Sequence, residues 1–364
     1  MKVLCVAPHN ARHETVQFLG LQKKGVDLYV VVGRKVEPDC SELEAAGIPV
    51  EVLPMSKHLD RPVMLRIREI IKARGIDIVH AFNNRTVMNA LQACRGLPVR
   101  FIAYRGIVGN VSFLNPASWM TYLNPRVDRI ICVAEAIRLH LLQLRFLWLK
   151  IPEYKPVTVH KGHDLSWYNK PAADLRQCGI PENAFVVGCA ANYRPRKGIE
   201  VLVDAMQLLP ADTNIHLLLI GNMDNQHLHK RIRNNRCTDR IHLAGHVNNA
   251  PEFLEACSLC VLPSLKREGL PRSVIEGMAY GVPPIVTNSG GSPELVTHME
   301  NGMIVTPGSA EELANAIMTF YRDPEFRKRV GAAARQTIAT RFTVEQTVEK
   351  TYQVYKELCP DNSR

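Results

Sequence analysis

Two glutamates, eight positions apart, are the clearest candidates for chemistry in this sequence. Glu268 follows the apolar run 259–263, and Glu276 lies in a helical pattern that starts at Pro271 and stops at Gly281. A helix start offers unpaired N–H groups that attract phosphate. Carboxylates would repel phosphate but accept hydrogen bonds from hydroxyl groups. The pair therefore favours recognition of a sugar or ribose beside a phosphate. The alternative is a capped surface helix with solvated acids.

A basic turn is the second candidate. The strand-like run that ends at Ala190 leads into Arg194, Arg196, Lys197 and Gly198, and a helical pattern follows. Lysine is a compact charge and arginine a planar fork, so together they can clamp an anion. A solvated basic turn is the alternative. We expect the basic turn and the acidic pair to converge on one nucleotide.

Residues 263–287 carry a recognisable signature. They read P-S-L-K-R-E-G-L-P-R-S-V-I-E-G-M-A-Y-G-V-P-P-I-V-T, which resembles the Glu-x7-Glu signature of the retaining glycosyltransferases of family 4. The resemblance implies an α/β protein with the GT-B fold, in which two Rossmann-like domains face a central cleft. It also implies a nucleotide-diphosphate sugar as the donor substrate.

The resemblance assigns roles around the donor. The basic turn is similar to the family's Arg-x4-Lys-Gly motif, whose Arg and Lys hold the pyrophosphate. Lys197 and Gly198 match, but Asn192 occupies the arginine position, so Arg194 is expected to take over. The catalytic residues implied are Lys197 and Glu268, with Glu276 on the ribose. The full set of implied donor-binding residues is Arg194, Lys197, Gly198, His246, Val247, Glu268, Gly269, Leu270 and Glu276.

The first half resembles the family less. Residues 77–81, which include His80, are similar to the strand before the acceptor cleft. The usual Gly-Gly turn after the first strand is replaced by a segment with Arg12, and the usual His-Gly by Arg105 and Gly106. Arg12 and Arg105 could face an anionic group of donor or acceptor, or could be ordinary surface or strand-end arginines. The acceptor-side candidates are Arg12, His80, Arg105 and Asn110.

The elements that position these residues form two series. Short β-rich runs alternate with helical patterns, first over residues 3–133 and again over 185–305. Such alternation predicts parallel sheets covered by helices, which bind ligands at the carboxyl ends of their strands. We predict an acceptor-side domain over 1–160 and a nucleotide-sugar-binding domain over 161–343. The resemblance implies that the last helix, 344–358, packs back on the first domain.

Composition limits the function classes. The chain has 364 residues, 46% hydrophobic and 22% charged, which is typical of a globular protein. The sequence shows neither an apolar leader nor a run of about 20 apolar residues, so we expect a cytoplasmic location. The net charge of +10 favours anionic partners. Ten scattered cysteines and no convincing D-x-D loop argue against a metal, and no cofactor is expected.

Residues 136–150 raise the question of membrane contact. The segment is apolar, with interspersed Arg138, Arg145 and Lys150 and the aromatic Phe146 and Trp148. It could be an interfacial helix that docks on anionic lipid at the inner face of the plasma membrane. A domain-packing helix whose cations reach past apolar surface is the alternative.

The leading hypothesis is a retaining, metal-independent glycosyltransferase. It would use a nucleotide-diphosphate sugar and a glycan or lipid-linked acceptor, in bacterial-type surface polysaccharide or lipopolysaccharide synthesis. One alternative is a GT-B scaffold that has lost the reaction. Another is a two-domain dehydrogenase, which the missing G-x-G-x-x-G run near the start disfavours. Nucleic-acid binding is not expected, because no recognition motif accompanies the positive charge.

Overall fold

The structure is a computed structural model that describes residues 1–359 and divides into two compact units. The first comprises Met1–Gly162 and the segment that begins at Thr343, and the second is His163–Phe342. The junction at Gly162 lies two residues after the predicted one. The junction has room only for glycine at position 162, because a Cβ there would lie 2.2 Å from the carbonyl oxygen of Thr343. The two crossings of the chain therefore lie side by side.

Within the described residues, the first unit contains a seven-stranded parallel sheet. Its strand order is β3-β2-β1-β4-β5-β6-β9. The strands are β1 (Lys2–Ala7), β2 (Asp27–Val32), β3 (Val50–Val52), β4 (Ile78–Ala81), β5 (Arg100–Arg105), β6 (Arg129–Cys132) and β9 (Pro156–Thr158). The helices are α1 (Arg12–Lys23), α2 (Asp39–Ala45), α3 (Arg61–Arg74), α4 (Asn84–Ala93), α5 (Pro116–Trp119), α6 (Glu135–Gln143) and α14 (Val344–Leu358).

The second unit repeats this architecture with six parallel strands. Their order is β12-β11-β10-β13-β14-β15. The strands are β10 (Phe185–Ala190), β11 (Ile215–Ile220), β12 (Ile241–Gly245), β13 (Leu259–Leu262), β14 (Pro284–Thr287) and β15 (Met303–Val305). The helices are α7 (Ile199–Leu208), α8 (Gln226–Arg233), α9 (Ala250–Glu255), α10 (Arg272–Tyr280), α11 (Ser292–Leu295), α12 (Ala310–Arg322) and α13 (Pro324–Arg341).

Continuous apolar runs form the central strands because helices cover both faces of each sheet. Every residue of β11 is buried, as is every residue of β13. The strand order reverses between β1 and β4 in the first unit and between β10 and β13 in the second. In doubly wound sheets a ligand crevice opens at the carboxyl ends of the strands where the order reverses. The fold thus defines one candidate crevice in each unit.

His80 is a core residue of the first unit, so its assignment to the acceptor side is wrong. It is 1% exposed, and its ring stacks on Phe82 with 4.2 Å between ring centroids. Its Nδ1 lies 2.8 Å from the hydroxyl of Tyr355 on α14. Burial lowers the pKa of His80 to about 3, so the ring stays neutral. The role of His80 is to anchor the last helix, which packs against α1 and contributes Val348 and Leu358 to the core.

A partly buried ion pair joins the start of α1 to Lys161, just before the junction at Gly162. Lys161 Nζ lies 2.9 Å from Glu14 Oε1, and His13 contacts the same carboxylate at 2.8 Å. Burial by itself would raise the pKa of Glu14. The charge of Lys161, followed by the contact with His13, outweighs burial and lowers that pKa to about 2. The folded state is therefore stabilised by the ionised form of Glu14.

Replacing Glu14 by glutamine should lower the free energy of unfolding at neutral pH by about 3 kcal/mol. Because the folded-state pKa is depressed, the stabilisation is present above the ordinary value of 4.5 and is lost as the pH falls toward 2. Urea titrations at neutral and acid pH measure the difference, which should shrink in acid. Glu42→Gln, on an exposed position of α2, is the matched control. Equal losses in both variants would contradict the prediction.

A single helix over residues 136–150, considered either as an interfacial or as a domain-packing helix, is not what the structure shows. Helix α6 ends at Gln143, and the guanidinium of Arg145 donates to the carbonyl oxygens of Leu142 and Leu144. Such capping of the last carbonyls ends a helix. A hairpin follows, in which β7 (Arg145–Phe146) pairs antiparallel with β8 (Leu149–Lys150). None of the helices within residues 1–359 combines the length and apolar character needed to cross a bilayer.

Candidate active site

The candidate donor site lies at the reversal of strand order in the second unit. Strands β10 and β13 are hydrogen-bonded neighbours, with Val187 opposite Leu259 and Gly188 opposite Cys260. The loop after β10 carries Lys197, and the loop after β13 carries Glu268. Because both strands run in the same direction, both loops leave the same edge of the sheet. Residues 71 positions apart in the sequence are thereby brought together.

Two glycines, Gly198 after β10 and Gly290 after β14, allow the loops that follow these two strands to approach the loop after β13 closely. Gly198 has a φ of +65°, and a Cβ there would lie 2.2 Å from the carbonyl oxygen of Pro263. Gly290 has a φ of +57°, and its Cβ would lie 2.1 Å from the carbonyl oxygen of Glu268. Hydrogen bonds from Leu265 N to Arg196 O (2.8 Å) and from Gly291 N to Gly269 O (3.1 Å) hold the loops together. A side chain at either glycine would push them apart.

Lys197, which is partly buried, and Glu268, which is buried, form an ion pair at this meeting point. Lys197 Nζ lies 2.7 Å from Glu268 Oε1, and a guanidinium nitrogen of Arg196 lies 3.5 Å from the same oxygen. The hydroxyl of Ser264 donates to it at 2.7 Å. Among residues 1–359, the contacts with this carboxylate all fall on Oε1. Two cations and one carboxylate leave a net positive charge, and Oε2 remains for a ligand hydroxyl.

Glu276 is the second buried carboxylate of the site. It lies inside α10 and is 5% exposed, and Arg272, one turn earlier, donates to its Oε1 at 2.6 Å. Burial raises the pKa of Glu276, and the neighbouring charge of Arg272 offsets part of that rise. Arg272 itself is largely exposed. Its guanidinium is therefore the group that favours the ionised form of Glu276.

Replacing Arg272 by alanine should raise the pKa of Glu276 further, because the opposing charge is removed. A nucleotide that needs the carboxylate as a hydrogen-bond acceptor would then lose affinity at a higher pH than in the wild type. Dissociation constants of nucleoside diphosphates measured against pH test this, with Arg322→Ala at an exposed position of α12 as the control. If wild type, Arg272→Ala and Arg322→Ala all lose nucleotide affinity at the same acidic pH, the prediction is contradicted.

The remaining donor-side candidates surround this core. Arg194 is exposed and begins the turn that contains Lys197, whose backbone N–H bonds the carbonyl of Arg194 at 2.7 Å. His246 and Val247 follow β12, with His246 exposed and Val247 partly buried against the core. Gly269 and Leu270 lie in the loop before α10. The contacts bring Lys197 and Glu268 together but place Arg196, not Arg194, beside the carboxylate.

Sequence reasoning missed three partners of the two glutamates. Arg196 and Ser264 contact Glu268, and Arg272 contacts Glu276. The spacing of four residues between Arg272 and Glu276 is the helical ion-pair signal that could have identified one of them. Asn192, at the family's arginine position, has another task here. Its side-chain oxygen accepts a hydrogen bond from the backbone N–H of Asn222 at 2.9 Å and so fixes the turn after β11.

The first unit contains its own cavity, of about 520 Å³, at the carboxyl ends of β4 and β5. Arg105 and Asn110, two of the predicted acceptor-side residues, line it. Arg12 does not line it and begins α1 at an exposed position. Within residues 1–359, groups of three His, Cys, Asp or Glu side chains placed to hold a metal ion do not occur. The ten cysteines are free thiols.

Two doubly wound parallel sheets, one in each unit, are the architecture of the GT-B fold. The crystal structure of Anabaena HepE in complex with UDP has this fold. It superposes with a TM-score of 0.77 over 98% of this chain and 100% of HepE, at 22% sequence identity.

Sequence comparison identifies the family. The profile described as Glycosyltransferase Family 4 matches residues 18–167, and that of Glycosyl transferases group 1 matches residues 172–337. The lipopolysaccharide core mannosyltransferase LpsB of Rhizobium meliloti is 31% identical over 255 residues, 66% of this chain and 68% of LpsB. The chain belongs to glycosyltransferase family 4.

Other relatives match over a shorter stretch. N-acetyl-alpha-D-glucosaminyl L-malate synthase of Bacillus anthracis is 26% identical over 188 residues, which are 51% of this chain. The match spans about half of that relative, 49% of its length.

Proposed function

We propose that this glycosyltransferase is a retaining, metal-independent enzyme that uses a nucleotide-diphosphate sugar. The observation that carries the proposal is the contact between Lys197 and Glu268 beside the basic turn. It joins a cation suited to the pyrophosphate to a carboxylate suited to the sugar hydroxyls. The crystal structures of HepE with UDP and with UDP-glucose support a nucleotide sugar as the class of donor.

The charges of the site match the charge that develops as the sugar departs. Lys197 and Arg196, with Arg194 nearby, would neutralise the leaving pyrophosphate, and the Gly269 and Leu270 N–H groups would add donors. With the cations in this role, the proposed mechanism does not need a metal ion. Glu268 would hold sugar hydroxyls through Oε2, and Glu276 would accept hydrogen bonds from the ribose.

Retention requires the acceptor to attack the face that the nucleotide leaves. The leaving phosphate is itself a base, and it can take the proton of the acceptor hydroxyl on that face. Glu268 is held by Lys197, Arg196 and Ser264. We assign Glu268 to orienting the sugar. Because the leaving phosphate acts as the base, the proposed reaction does not require a carboxylate nucleophile.

The acceptor is proposed to be a glycan or lipid-linked glycan of the cell surface. Its support is the relationship to LpsB, named for mannosyl transfer in lipopolysaccharide core biosynthesis. The alternatives of a dehydrogenase or of an inactive scaffold receive no support from the relatives.

A thermal-shift screen over UDP, GDP, ADP and their sugar conjugates tests the donor class, because a ligand that binds only the native state raises its apparent stability. We expect one nucleotide series to raise the melting temperature without added metal. Proton NMR of the transfer product then reads the anomeric configuration. A shift from none of the nucleotides, or a product with inverted configuration, would overturn the proposal.

The hairpin β7–β8 is the proposed site of contact with an anionic membrane. Its turn residues Leu147 and Trp148 are 72% and 82% exposed, and Arg145 and Lys150 flank them. Exposed apolar tips beside cations suit the interface of anionic lipid, where each cation adds about 1 kcal/mol of attraction.

Replacing Leu147 and Trp148 together by glutamate should weaken binding to vesicles of phosphatidylcholine and phosphatidylglycerol by about tenfold or more, because the apolar side chains no longer enter the interface. Co-sedimentation measures it. Leu208→Glu, at an exposed leucine of α7, is the matched control. Membrane contact would be contradicted if wild-type protein does not co-sediment with these vesicles, or if the double variant binds them as well as Leu208→Glu does.

A further inference from the structure

Arg105 is a buried cation of the first unit without an acidic partner among residues 1–359. It ends β5, is 3% exposed, and lines the cavity described above. Its Nε donates to the carbonyl of Ile107 (3.1 Å), one terminal nitrogen to the side-chain oxygen of Asn84 (3.2 Å), and the other to the carbonyl of Gly109. The ring of Tyr122 lies 4.8 Å from the guanidinium carbon. Every one of these contacts is with a neutral group.

A buried charge without a counter-charge is costly, so buried charges are normally paired or hydrogen-bonded on all sides. The three hydrogen bonds of Arg105 use three of its five N–H groups. The other two belong to the terminal nitrogens, on a side chain that lines the cavity. The guanidinium thus has both the charge and the donors to receive an anion.

The surroundings of the cavity point to the same ligand chemistry. Its lining includes Arg85 and His58 but neither aspartate nor glutamate. It also includes Asn83 and Asn84, which form the N-terminus of the ten-residue helix α4. The positive end of a helix dipole favours anions. The volume of about 520 Å³ falls in the range of sites for small ligands.

We propose that this cavity binds an anionic group, a phosphate or carboxylate, carried by the acceptor glycan. The proposal rests on the proposed function and deepens it by naming the chemical class of the acceptor. Arg105 would pair with the anion, Arg85 would add charge at the exposed rim, and the amide of Asn110 would contact the sugar. The position where family members carry His-Gly would here select a charged acceptor.

Glucose 6-phosphate and glucose form a matched pair of probes for this site. Titration calorimetry is done on the Lys197→Ala protein, in which loss of the central cation weakens binding of phosphate at the donor site, and the comparison with Arg105→Met in the same background isolates the contribution of the cavity. We expect glucose 6-phosphate to bind and glucose not to bind at equal concentration. Arg105→Met in this background should weaken glucose 6-phosphate by at least about tenfold. Unchanged affinity would overturn the proposal.

Arg68→Met is the matched control, because Arg68 is a partly buried arginine of the same unit that donates to the backbone carbonyls of Ala93 and Arg95, away from the cavity. If circular dichroism shows Arg105→Met unfolded, Arg105→Lys and Arg85→Ala decide the matter. Both should weaken glucose 6-phosphate several-fold, since lysine lacks the planar fork. Wild-type affinity in both would overturn the proposal.

The outcomes also separate this inference from the proposed function. Suppose that wild-type protein binds a nucleoside diphosphate through Lys197 but that Arg105→Met does not change the affinity for glucose 6-phosphate. Only the acceptor inference then fails. If nucleoside diphosphates do not bind at all, the proposed function fails. In the active enzyme, Arg105→Met should raise the KM for a phosphorylated acceptor and leave the KM for the nucleotide sugar unchanged. A rise in the nucleotide-sugar KM alone would assign the anion to the donor.

Discussion

Lys197→Ala should lower kcat for sugar transfer by about 10²–10³-fold, the usual loss when one preorganised group that stabilises developing charge is removed. Arg196 and Arg194 remain, so some neutralisation of the pyrophosphate survives and a residual rate is expected. Initial rates of nucleotide release with saturating donor measure the effect. The same variant should lower the free energy of unfolding by about 1–3 kcal/mol, because the buried carboxylate of Glu268 loses one of its partners.

Lys328→Ala is the control for this prediction. Lys328 is an exposed lysine on α13 and is not part of the loops that carry Lys197 and Glu268. It should leave both the rate and the stability unchanged. A Lys197→Ala enzyme with the wild-type rate would show that the ion pair is only structural, and a comparable loss in Lys328→Ala would show that the assay reports non-specific damage.

Glu276→Gln should weaken nucleoside diphosphate binding by about 10–100-fold without destabilising the protein. The carboxylate is a strong acceptor for ribose hydroxyls, whereas the amide is weaker and presents the wrong group in one orientation. In contrast to the loss of affinity, the free energy of unfolding of Glu276→Gln at neutral pH should be higher than that of wild type. Because burial raises the folded-state pKa of Glu276, the ionised form costs free energy at neutral pH. Glutamine removes that cost, and the exposed Arg272 loses little.

The stability difference should also depend on pH in a defined direction. The folded state binds the Glu276 proton more tightly than the unfolded state, so wild-type stability rises as the pH falls through the raised folded-state pKa. The advantage of Glu276→Gln at neutral pH should therefore vanish in that window. Melting temperatures across pH measure it. A variant less stable than wild type at neutral pH would contradict this account of the buried charge.

Dideoxyribose nucleotides identify what Glu276 contacts. Wild type and Glu276→Gln should bind 2′,3′-dideoxy nucleoside diphosphates with equal affinity. These nucleotides lack the ribose hydroxyls that would donate hydrogen bonds to the carboxylate. Glu294→Gln, at a glutamate in the short helix α11, is the control. If Glu276→Gln weakens the normal and the dideoxy nucleotide by the same factor, Glu276 acts elsewhere than on the ribose.

The local pattern of the sequence predicts much of this fold. Residues 259–263 and 284–287 are apolar runs between turn residues, and they form β13 and β14 in the structure. The stop at Gly281 is also observed, because this glycine takes a left-handed conformation that ends α10. These features depend on residues that are close in the sequence, and for that reason the sequence predicts them.

Features that depend on distant contacts escaped sequence reasoning. His80 looked like a site residue because residues 77–81 are similar to the family's strand before the acceptor cleft, but its partner Tyr355 lies 275 positions away in the sequence and helps to bury it. The hairpin after α6 arises because Arg145 caps the helix through its side chain, although residues 136–150 look amphipathic. The choice of Arg196 over Arg194 beside Glu268 depends on how two loops meet.

The comparison of a nucleoside diphosphate with its nucleoside tests the central claim most directly, because Lys197 is assigned to the pyrophosphate alone. Isothermal titration should show that wild-type protein binds the diphosphate about 100-fold or more tightly than the nucleoside, and that Lys197→Ala loses most of this advantage while binding the nucleoside as before. An advantage of the same size in both proteins would contradict the assignment of the second unit as a donor site built on Lys197 and Glu268.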